Sequence, residues 1–326
     1  MDDARTNQTR PAPFHRGELQ AQERAGVRAQ MEKIGSIVLR DYMPDQHREF
    51  FPLLPTFFIG GSDEAGRIWA SVLWGAPGFV QSPDPTTLRI AARLPEEDPL
   101  AAVLRPGTGL GGLGLQFETR RRNRANGVVA DVDAHGFTLK VQQSFGNCPK
   151  YIQTREQRAW APVMADVPAV AGGRQLPEAA LALIRQADTF FIATAADEER
   201  GVSHGADVSH RGGRPGFVAI DAEGAMIWPD FQGNNFFNTI GNLLADARAG
   251  LLFLDFASGD LLQLSGRAEV VWDGETVARF AGAKRLLRFL PERHVFRPGR
   301  MPLRWSLSEV SPHLAATGTW AAVEKA

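Results

Sequence analysis

Residues 56–59, Thr-Phe-Phe-Ile, recur unchanged as residues 189–192, at an offset of 133. Further matches follow in the same order: residues 77–80, PGFV, return as residues 215–218; residues 113–117, LGLQF, align with residues 252–256, LFLDF; and Gly127 aligns with Gly266. The offset drifts only between 133 and 139, as short insertions in turns would cause. Ordered self-similarity at a long period indicates a repeated structural unit, so the sequence predicts a tandem duplication.

Short apolar or alternating runs surround these matches and are bounded by Gly, Pro and Asp turns. In the first copy the runs are TFFIGGSD, RIWASVLWG, PGFVQSP, TTLRIAA, LGLQFET, NGVVADVD and GFTLKVQQ. Their regular spacing is typical of antiparallel barrels. We therefore predict a mainly β protein with flanking helices, in which each copy is a six-stranded antiparallel β-barrel and the two copies form a pseudo-dimer.

The predicted organisation has four parts. Residues 1–44 form a polar tail, up to about residue 13, and an amphipathic helix from Glu18 to about Arg40, whose apolar residues recur every three to four positions. Residues 45–160 form the first barrel with its tail, preceded by a short helix at about 44–54. Residues 161–177, rich in Pro and Gly, form a linker. Residues 178–326 form the second barrel.

Composition excludes several classes of protein. The 36 basic and 37 acidic residues give a net charge of −1, so no long-range field attracts nucleic acid. No apolar stretch reaches the length of a membrane helix and the start lacks the pattern of a signal peptide, so we expect a cytoplasmic protein without membrane contacts. The single cysteine, Cys148, excludes internal disulfides and a CxxC zinc site, and the histidine spacing predicts no metal site.

Residues 229–244, PDFQGNNFFNTIGNLL, contain the densest polar cluster. A strand is expected to end in a glycine-containing turn and to lead into a helix, whose free N–H groups and positive dipole end suit a phosphate. Capping of the helix would account for one or two of the asparagines. It does not account for all five polar side chains, which are Asn234, Asn235, Asn238, Thr239 and Asn242, so we predict an anion site here.

Upstream of this cluster a polar strand is predicted. By alternation, Gly205, Asp207, Ser209 and Arg211 share one face, and His204, Ala206, Val208 and His210 share the other. Arg211 is the candidate to bind a phosphate with its guanidinium fork. The matching strand of the first copy, IWASVLWG, is apolar, so we expect that the first copy keeps the scaffold and has a degenerate site.

Two further segments carry functional residue types. In residues 142–155, QQSFGNCPKYIQTR, we expect Asn147, Cys148, Lys150, Tyr151 and Arg155 to line the site of the other barrel; no base lies near Cys148, which disfavours a catalytic thiol. The run RRRNR at 120–124 is expected to be a solvated hairpin edge, with an anion contact inside the barrel pair as the alternative. Residues 107–114 match G-x-G-x-x-G, but no strand precedes them, so we expect a flexible turn rather than a dinucleotide site.

Both copies resemble the flavin-binding split barrel of the pyridoxamine 5'-phosphate oxidase-related superfamily, over roughly residues 45–275. In that superfamily the similar stretch reads as a strand, a polar turn and a G-N-x-x-x-N/D-(S/T)-x-x-N-(I/L)-L helix, which holds the ribityl phosphate of FMN. Residues 233–244 fit this pattern. The Arg/Lys-rich phosphate signature and the C-terminal Trp–Arg–Leu motif of the oxidases themselves are not evident in the sequence, so the resemblance does not extend to oxidation of vitamin B6.

The resemblance implies one FMN per chain, seated on the second split barrel and covered by the first. The implied contacts are Asp207, Val208 and Ser209 from the strand, Asp230, Gly233, Asn234 and Asn235 from the turn, Asn238 and Asn242 from the helix, and Asn147, Cys148, Lys150 and Arg155 from the tail of the first copy. Single-barrel relatives place the flavin at a homodimer interface, which the duplication supplies within one chain. Whether two such chains pair again into a homodimer stays open.

Two functional hypotheses follow. The first is an FMN-dependent oxidoreductase that transfers a hydride through the flavin N5 and uses a small-molecule substrate or electron donor of unknown identity. No catalytic residue is assigned; Lys150, Tyr151 and His204 are the candidates if a proton donor is needed. The second is a non-catalytic flavin or haem protein for binding, storage or sensing, with His204 or His210 as the only histidines near the site that could ligate a haem iron.

Overall fold

The computed structural model describes residues 13–164, 166–196 and 205–325. Two helices, α1 (Arg16–Arg24) and α2 (Arg28–Val38), replace the single amphipathic helix that was predicted. The chain turns between them at Gly26, whose φ of +69° suits glycine and interrupts a helix. The short helix expected at 44–54 is also divided, into α3 (Asp45–Arg48) and a 3₁₀ turn at Phe51–Leu53. Most of the predicted polar tail lies outside the described residues.

The first copy forms a seven-stranded antiparallel sheet. Its strands are β1 (Thr56–Ser62), β2 (Ile68–Trp74), β3 (Val80–Asp84), β4 (Thr87–Ile90), β5 (Gly109–Gln116), β6 (Arg121–Asp133) and β7 (Gly136–Gly146). Their order in the sheet is β2-β1-β5-β6-β7-β4-β3. A 3₁₀ turn, Ala101–Val103, lies between β4 and β5.

A two-stranded ribbon and a short strand connect the copies. The ribbon pairs β8 (Thr154–Trp160) with β17 (Leu303–Glu309), and β9 (Val170–Gly172) joins the sheet of the second copy. Helix α4 (Glu178–Gln186) follows and buries Ala180, Leu183 and Ile184 against that sheet. The predicted linker at 161–177 therefore contains one strand of its own.

The second copy forms an eight-stranded sheet that includes β9. Its other strands are β10 (Thr189–Ala196), β11 (Gly205–Gly212), β12 (Ala219–Ile220), β13 (Met226–Phe231), β14 (Arg248–Leu254), β15 (Leu261–Val271) and β16 (Ala283–Arg297), in the order β11-β10-β14-β15-β16-β13-β12. Helix α5 (Asn238–Ala245) lies between β13 and β14, α6 (Glu275–Arg279) lies between β15 and β16, and α7 (Trp320–Lys325) follows a 3₁₀ turn at Pro312–Ala316.

The two sheets share one strand order: β1 corresponds to β10, β2 to β11, and so on to β7 and β16. The protein is therefore mainly β, built of antiparallel sheets with few helices. Among the described strands, the first and last of each order do not pair with each other, so closure into the expected barrels is not seen. The sheets have seven and eight strands rather than six because short hairpin strands extend them. No described helix has the length and apolar character needed to cross a membrane.

The sheets pack face to face through β1, β2 and β5 of the first copy and β10, β11 and β14 of the second. Phe58 and Phe191, which occupy the same place in the repeat, stack with ring centroids 3.7 Å apart. The layer between the sheets explains why β2 and β10 read as nearly continuous apolar runs: one face meets the sheet's own core and the other meets the second sheet.

Glycines allow the closest approach between the sheets. A Cβ at Gly111 would lie 2.6 Å from the Cα of Asp207, and one at Gly250 would lie 2.5 Å from the Cα of Trp69. The glycine-rich run at 107–114 was expected to be a flexible turn, and this was wrong for residues 109–114, which belong to strand β5. These glycines are needed because the backbones of two strands touch there.

The stacked phenylalanines give a test of this packing. Phe58 is fully buried, so the substitution Phe58→Ala should lower the free energy of unfolding by about 3–5 kcal/mol through lost burial and a cavity between the sheets. Chemical denaturation monitored by tryptophan fluorescence measures this. Leu307→Ala, at a half-exposed position, is the control and should change stability by about 0.5 kcal/mol or less. A loss below about 1 kcal/mol for Phe58→Ala would contradict the interface.

Candidate functional site

The polar turn predicted to bind an anion lies between β13 and α5. Asn235 and Phe237 have φ angles of 63° and 65°, in the left-handed region that asparagine tolerates and phenylalanine avoids. Neither Asn234 nor Asn235 caps the helix: Asn234 Oδ1 accepts a hydrogen bond from the Phe236 N–H at 3.1 Å, and Phe237 is the N-cap residue without a side-chain bond. The asparagines therefore shape the turn and leave the start of α5 facing a pocket.

This pocket lies between the turn, β11 and the start of β6. Seven of the predicted cofactor contacts line it, and five of them come from the turn after β13 and the tail of the first copy: Asn147, Asp230, Gly233, Asn234 and Asn235. The start of α5 and strand β11 add Asn238, Thr239 and Ser209. Four arginines complete the polar wall, namely Arg122, Arg124, Arg211 and Arg285. Phe231 and Phe237 contribute apolar surface.

Positive charge dominates the pocket wall. Burial, together with repulsion by Arg124 and Arg211, lowers the pKa of Arg122 to about 9. Burial also lowers the pKa of Arg285, an effect that Asp230 opposes. Guanidinium groups keep their charge near neutral pH, so this crowding is electrostatically unfavourable without an anion.

Arg285 has unused donors that point to the same conclusion. It is 6% exposed, and its Nε lies 3.2 Å from Asp230 Oδ2. Its guanidinium packs over the rings of Phe237 and Trp272, each at 4.8 Å. Its Nη1 is buried without a hydrogen-bond partner among the described residues, and its Nε has the ion contact with Asp230 but no well-aligned hydrogen bond. Buried donors without partners are rare in proteins, so the site is built to receive an acceptor.

Beneath the pocket a buried network joins the two sheets. Arg124, from β6 of the first sheet, lies 3.0 Å from Asp207 Oδ1 and donates from Nε to the Val208 carbonyl at 3.2 Å. It also donates to Ser209 Oγ, and from Nη1 to Asn238 Oδ1 at 2.8 Å. Thus Asp207 and Val208, two predicted cofactor contacts, hold Arg124 rather than line the pocket.

The remaining predicted residues lie at different distances from the pocket. Asn242 is one turn further along α5, where it donates to Thr194 Oγ1 at 3.0 Å and pairs with His15 Nε2 at 2.9 Å. The Cys148 carbonyl accepts from Arg122 Nε at 2.8 Å. Lys150 is half-buried in the turn after Cys148 and does not line the pocket.

Arg155 is directed elsewhere. It forms an ion pair with Asp188, and its guanidinium lies 3.8 Å from the centre of the Phe256 ring. The structure therefore does not bring Arg155 to the anion pocket. His204 lies outside the described residues, and Tyr151 packs on the pocket residue Phe231 with ring centroids 5.0 Å apart. Burial, with nearby Cys148 and Asp230, raises the pKa of Tyr151, so its hydroxyl stays protonated at neutral pH.

The arginine run at 120–124 was expected to be a solvated edge, and for two of its members this was wrong. Arg122 and Arg124 lie on the same face of β6, the one that meets the second sheet. Arg121 lies on the opposite face, with its guanidinium 4.6 Å from the centre of the Phe50 ring. The alternation of a strand could have indicated that Arg122 and Arg124 share a face. Which face is buried is decided by the second sheet, and a local pattern does not contain that information.

Sequence reasoning also missed Arg285 and the residues of α1. Glu18 is 1% exposed; its Oε1 accepts from Asn238 Nδ2 at 2.6 Å and its Oε2 accepts from the His15 N–H at 3.0 Å. Burial raises the pKa of Glu18 to about 8, against the hydrogen bonds from His15 and Asn238. The His-x-x-Glu spacing of a capping box was a signal for the helix start, but not for its burial.

The repeat relates the pocket on β11 to an equivalent place on β2 of the first sheet, and the arrangement there is different. Gln263 stands on β15 where Arg124 stands on β6, and its Nε2 donates to the Ala70 carbonyl at 2.9 Å and lies 3.1 Å from Ser71 Oγ. Arg297 and Asp98, both nearly inaccessible, form an ion pair at 2.9 Å beside it. At this place an ion pair between Asp98 of the first copy and Arg297 on β16 of the second occupies the space beside Gln263.

Comparison with known proteins identifies the family. Residues 176–299 match the family model described as Pyridoxamine 5'-phosphate oxidase. This part of the chain is thus a member of the pyridoxamine 5'-phosphate oxidase-like split-barrel superfamily, which confirms the resemblance inferred from its motif. No curated protein sequence matches the chain.

Solved structures show remote likeness. The haem storage protein HutZ from Vibrio cholerae is 14% identical over 39% of this chain and 97% of its own, with a TM-score of 0.27. The FAD binding protein from Mycobacterium smegmatis is 13% identical over 38% and 97%, with a TM-score of 0.25. A putative pyridoxamine 5'-phosphate oxidase from Corynebacterium glutamicum is 11% identical over 40% and 99%, with a TM-score of 0.27. The family assignment rests on the family model. Within the described ranges, no group of three or more His, Cys, Asp or Glu side chains is placed to hold a metal ion.

The closed site of the first copy can be tested through its ion pair. Asp98→Ala leaves the buried Arg297 without its carboxylate and should lower the free energy of unfolding by about 3–5 kcal/mol. The double substitution Asp98→Leu with Arg297→Met removes both charges and should recover most of that loss. Urea denaturation measures both. Glu156→Ala breaks an exposed pair with Arg158 and should cost at most about 1 kcal/mol. Equal losses for the single and double variants would rule out this assignment.

Proposed function

We propose that the chain is an FMN-binding oxidoreductase and that the pocket at the start of α5 holds the ribityl phosphate of FMN. The observation that carries the proposal is the charge of the pocket wall. Asp207 neutralises Arg124 from below. Three further guanidinium groups, those of Arg122, Arg211 and Arg285, line the pocket with one carboxylate, Asp230, which pairs with Arg211 and Arg285. A phosphate monoester carries about −1.5 to −2 charges at pH 7, which matches the remaining excess.

The donors in the pocket suit a phosphate in kind as well as in charge. Arginine forks bind phosphate oxygens with paired hydrogen bonds, and a helix N-terminus adds backbone N–H groups. The unpartnered donors of Arg285 lie in this wall, and Asn234, Asn235 and Thr239 border it. The family match over residues 176–299 covers the turn, α5 and Arg285, which supports the flavin assignment.

We infer further that the two sheets arose by tandem duplication and pack as the two subunits of a split-barrel dimer would. The shared strand order and the stacking of Phe58 on Phe191 support this. The contacts of Gly111 with Asp207 and of Gly250 with Trp69 join corresponding strands from opposite copies. On this proposal the first copy covers the cofactor and supplies Arg122 and Arg124, and the stoichiometry is one FMN per chain.

When bound, FMN supplies hydride transfer at its N5 atom. The residues of this chain would anchor the phosphate and hold the flavin against the wall between the copies. Of the three proton-donor candidates, Tyr151 packs against the pocket residue Phe231 and keeps its proton near neutral pH. The substrate or electron donor would be a small molecule that reaches the flavin from solvent.

A non-catalytic haem protein is the alternative. His210 is buried between the sheets, where burial and nearby arginines hold its pKa well below its usual range. It lies on the face of β11 opposite Ser209, and no histidine is among the described pocket residues. A haem would therefore need a ligand from elsewhere, and the pocket favours the phosphorylated cofactor.

The test compares FMN with riboflavin, which lacks the phosphate. The wild-type protein should bind FMN with a flavin absorption spectrum and at least tenfold more tightly than riboflavin. Arg285→Met should weaken FMN binding tenfold or more and leave riboflavin binding unchanged, because a hydrogen bond to a charged group contributes about 1.5–3 kcal/mol. Fluorescence titration measures both ligands.

The matched control is Arg288→Met, on the same strand, where Arg288 pairs with Asp221 and Glu223 outside the pocket. It should bind FMN like the wild type. The double substitution Asn234→Ala with Asn235→Ala should also weaken FMN binding at least tenfold. A wild-type protein that binds FMN no better than riboflavin, or that shows a Soret band as purified, would refute the phosphate assignment.

A further inference from the structure

Helix α1 touches α5 through its backbone. A Cβ at Gly17 would lie 2.1 Å from the Gly241 carbonyl oxygen, and a Cβ at Gly241 would lie 2.5 Å from the Glu18 nitrogen. A side chain at either position would separate the two helices. The glycines therefore place α1 directly on the helix whose first turn lines the anion pocket.

Polar contacts fix this position along about two turns. His15 caps α1 by accepting from the Gly17 N–H, and its other ring nitrogen pairs with Asn242 Oδ1 at 2.9 Å. Gln22 Nε2 donates to the Phe236 carbonyl at 3.3 Å. Phe14 packs against Phe236 with ring centroids 5.9 Å apart. Residues 14–22 thus hold the turn and the helix on both sides of Asn238.

Glu18 lies at the centre of these contacts and connects them to the pocket. It accepts from the amide nitrogen of Asn238, which leaves the amide oxygen of Asn238 to accept from Arg124. Without this acceptor the Asn238 amide loses one of the two contacts that orient it, so it holds the Arg124 guanidinium less firmly. The contact is inaccessible to solvent, so water does not substitute for the carboxyl group.

We propose that residues 14–22 are an integral clamp on the anion pocket and that Glu18 is its positioning residue, which sets Asn238 and through it Arg124 for ligand binding. This inference rests on the proposed phosphate site. It assigns to the N-terminal helix a role in ligand affinity that the family match, which begins at residue 176, does not include.

The clamp also gives the pocket a pH response. The groups that face Glu18 are His15 on its own segment, Asn238 on α5, Asp207 on β11 and Arg124 on β6. The pKa of Glu18 is raised to about 8, mainly by burial, so the side chain is mostly neutral at pH 7. As pH rises through this value, the new negative charge offsets Arg124 and weakens the attraction for an anion. The same rise in pH begins to deprotonate Arg122, whose pKa is about 9, and this also lowers anion affinity. The effect of the clamp is therefore the difference in pH dependence of affinity between the wild type and a Glu18 variant.

The experiment measures the affinity of the full chain for FMN and for inorganic phosphate between pH 7.0 and 8.5. At pH 7.0, Glu18→Ala should weaken both ligands about tenfold. Glu18→Gln keeps an acceptor for Asn238 and should stay within about threefold of the wild type. From pH 7.0 to 8.5 the wild type should lose several-fold more affinity than Glu18→Gln. Glu23→Gln, exposed on the same helix, is the control and should follow the wild type at every pH.

The outcomes separate the two proposals. Wild-type binding of FMN with unchanged affinity in Glu18→Ala would overturn the clamp and leave the phosphate site standing. Binding of neither FMN nor phosphate by the wild type would overturn both. If Glu18→Ala does not fold, Glu18→Gln still decides: a pH profile identical to that of the wild type would overturn the clamp, and a flatter one would support it.

Discussion

The buried guanidinium of Arg124 is the interaction on which the site depends. Removing a charge from water costs several kcal/mol, and this cost is offset only when the geometry and the hydrogen bonds are nearly complete. Arg124 meets that condition with Asp207, Ser209, Asn238 and the Val208 carbonyl, and its guanidinium lies 5.1 Å from the centre of the Phe145 ring. Because Arg124 belongs to the first sheet and most of its partners belong to the second, the floor of the pocket exists only when the sheets are packed together. Fold stability and ligand binding therefore share one set of contacts.

The corresponding place in the first sheet shows what the same scaffold does without a ligand. Gln263 takes the place of Arg124 and makes similar bonds to Ser71 and to the backbone of β2. The space beside it is filled by Arg297, whose carboxylate partner Asp98 comes from the same chain. A side-chain carboxylate that is always present makes a structural ion pair, whereas the arginines of the second site face an opening. The two sites thus share a scaffold. They differ mainly in the anion, which is the Asp98 side chain at one site and the proposed ligand at the other.

Much of the fold and part of the site were accessible from sequence, for identifiable reasons. Strands such as β2 and β10 carry their apolar pattern locally, and the repeat indicates that the two sheets share one arrangement. The turn at 232–237 is also local, so Asn234 and Asn235 were found. Arg285 was missed, and an anion contact for Arg122 was only the alternative, because the orientation of both depends on packing between segments far apart in sequence. Glu18 was missed because nothing in an amphipathic helix marks a carboxyl group for complete burial. Arg155 was placed at the site from its segment and from the resemblance, whereas in this chain Asp188 and Phe256 hold it elsewhere.

Backbone strain and unmatched charge occur together at the pocket. Phe237 adopts a left-handed conformation that costs of order 1–2 kcal/mol for a residue with a Cβ, and Arg285, which packs against its ring, keeps buried donors without partners. Neither feature contributes to folding, and the hydrophobic cores of the two sheets must compensate for both. A chain selected for stability alone would relax the turn or supply acceptors for the donors of Arg285. Because both costs lie in one turn and its immediate contacts, they are most simply explained by a ligand that supplies the missing acceptors.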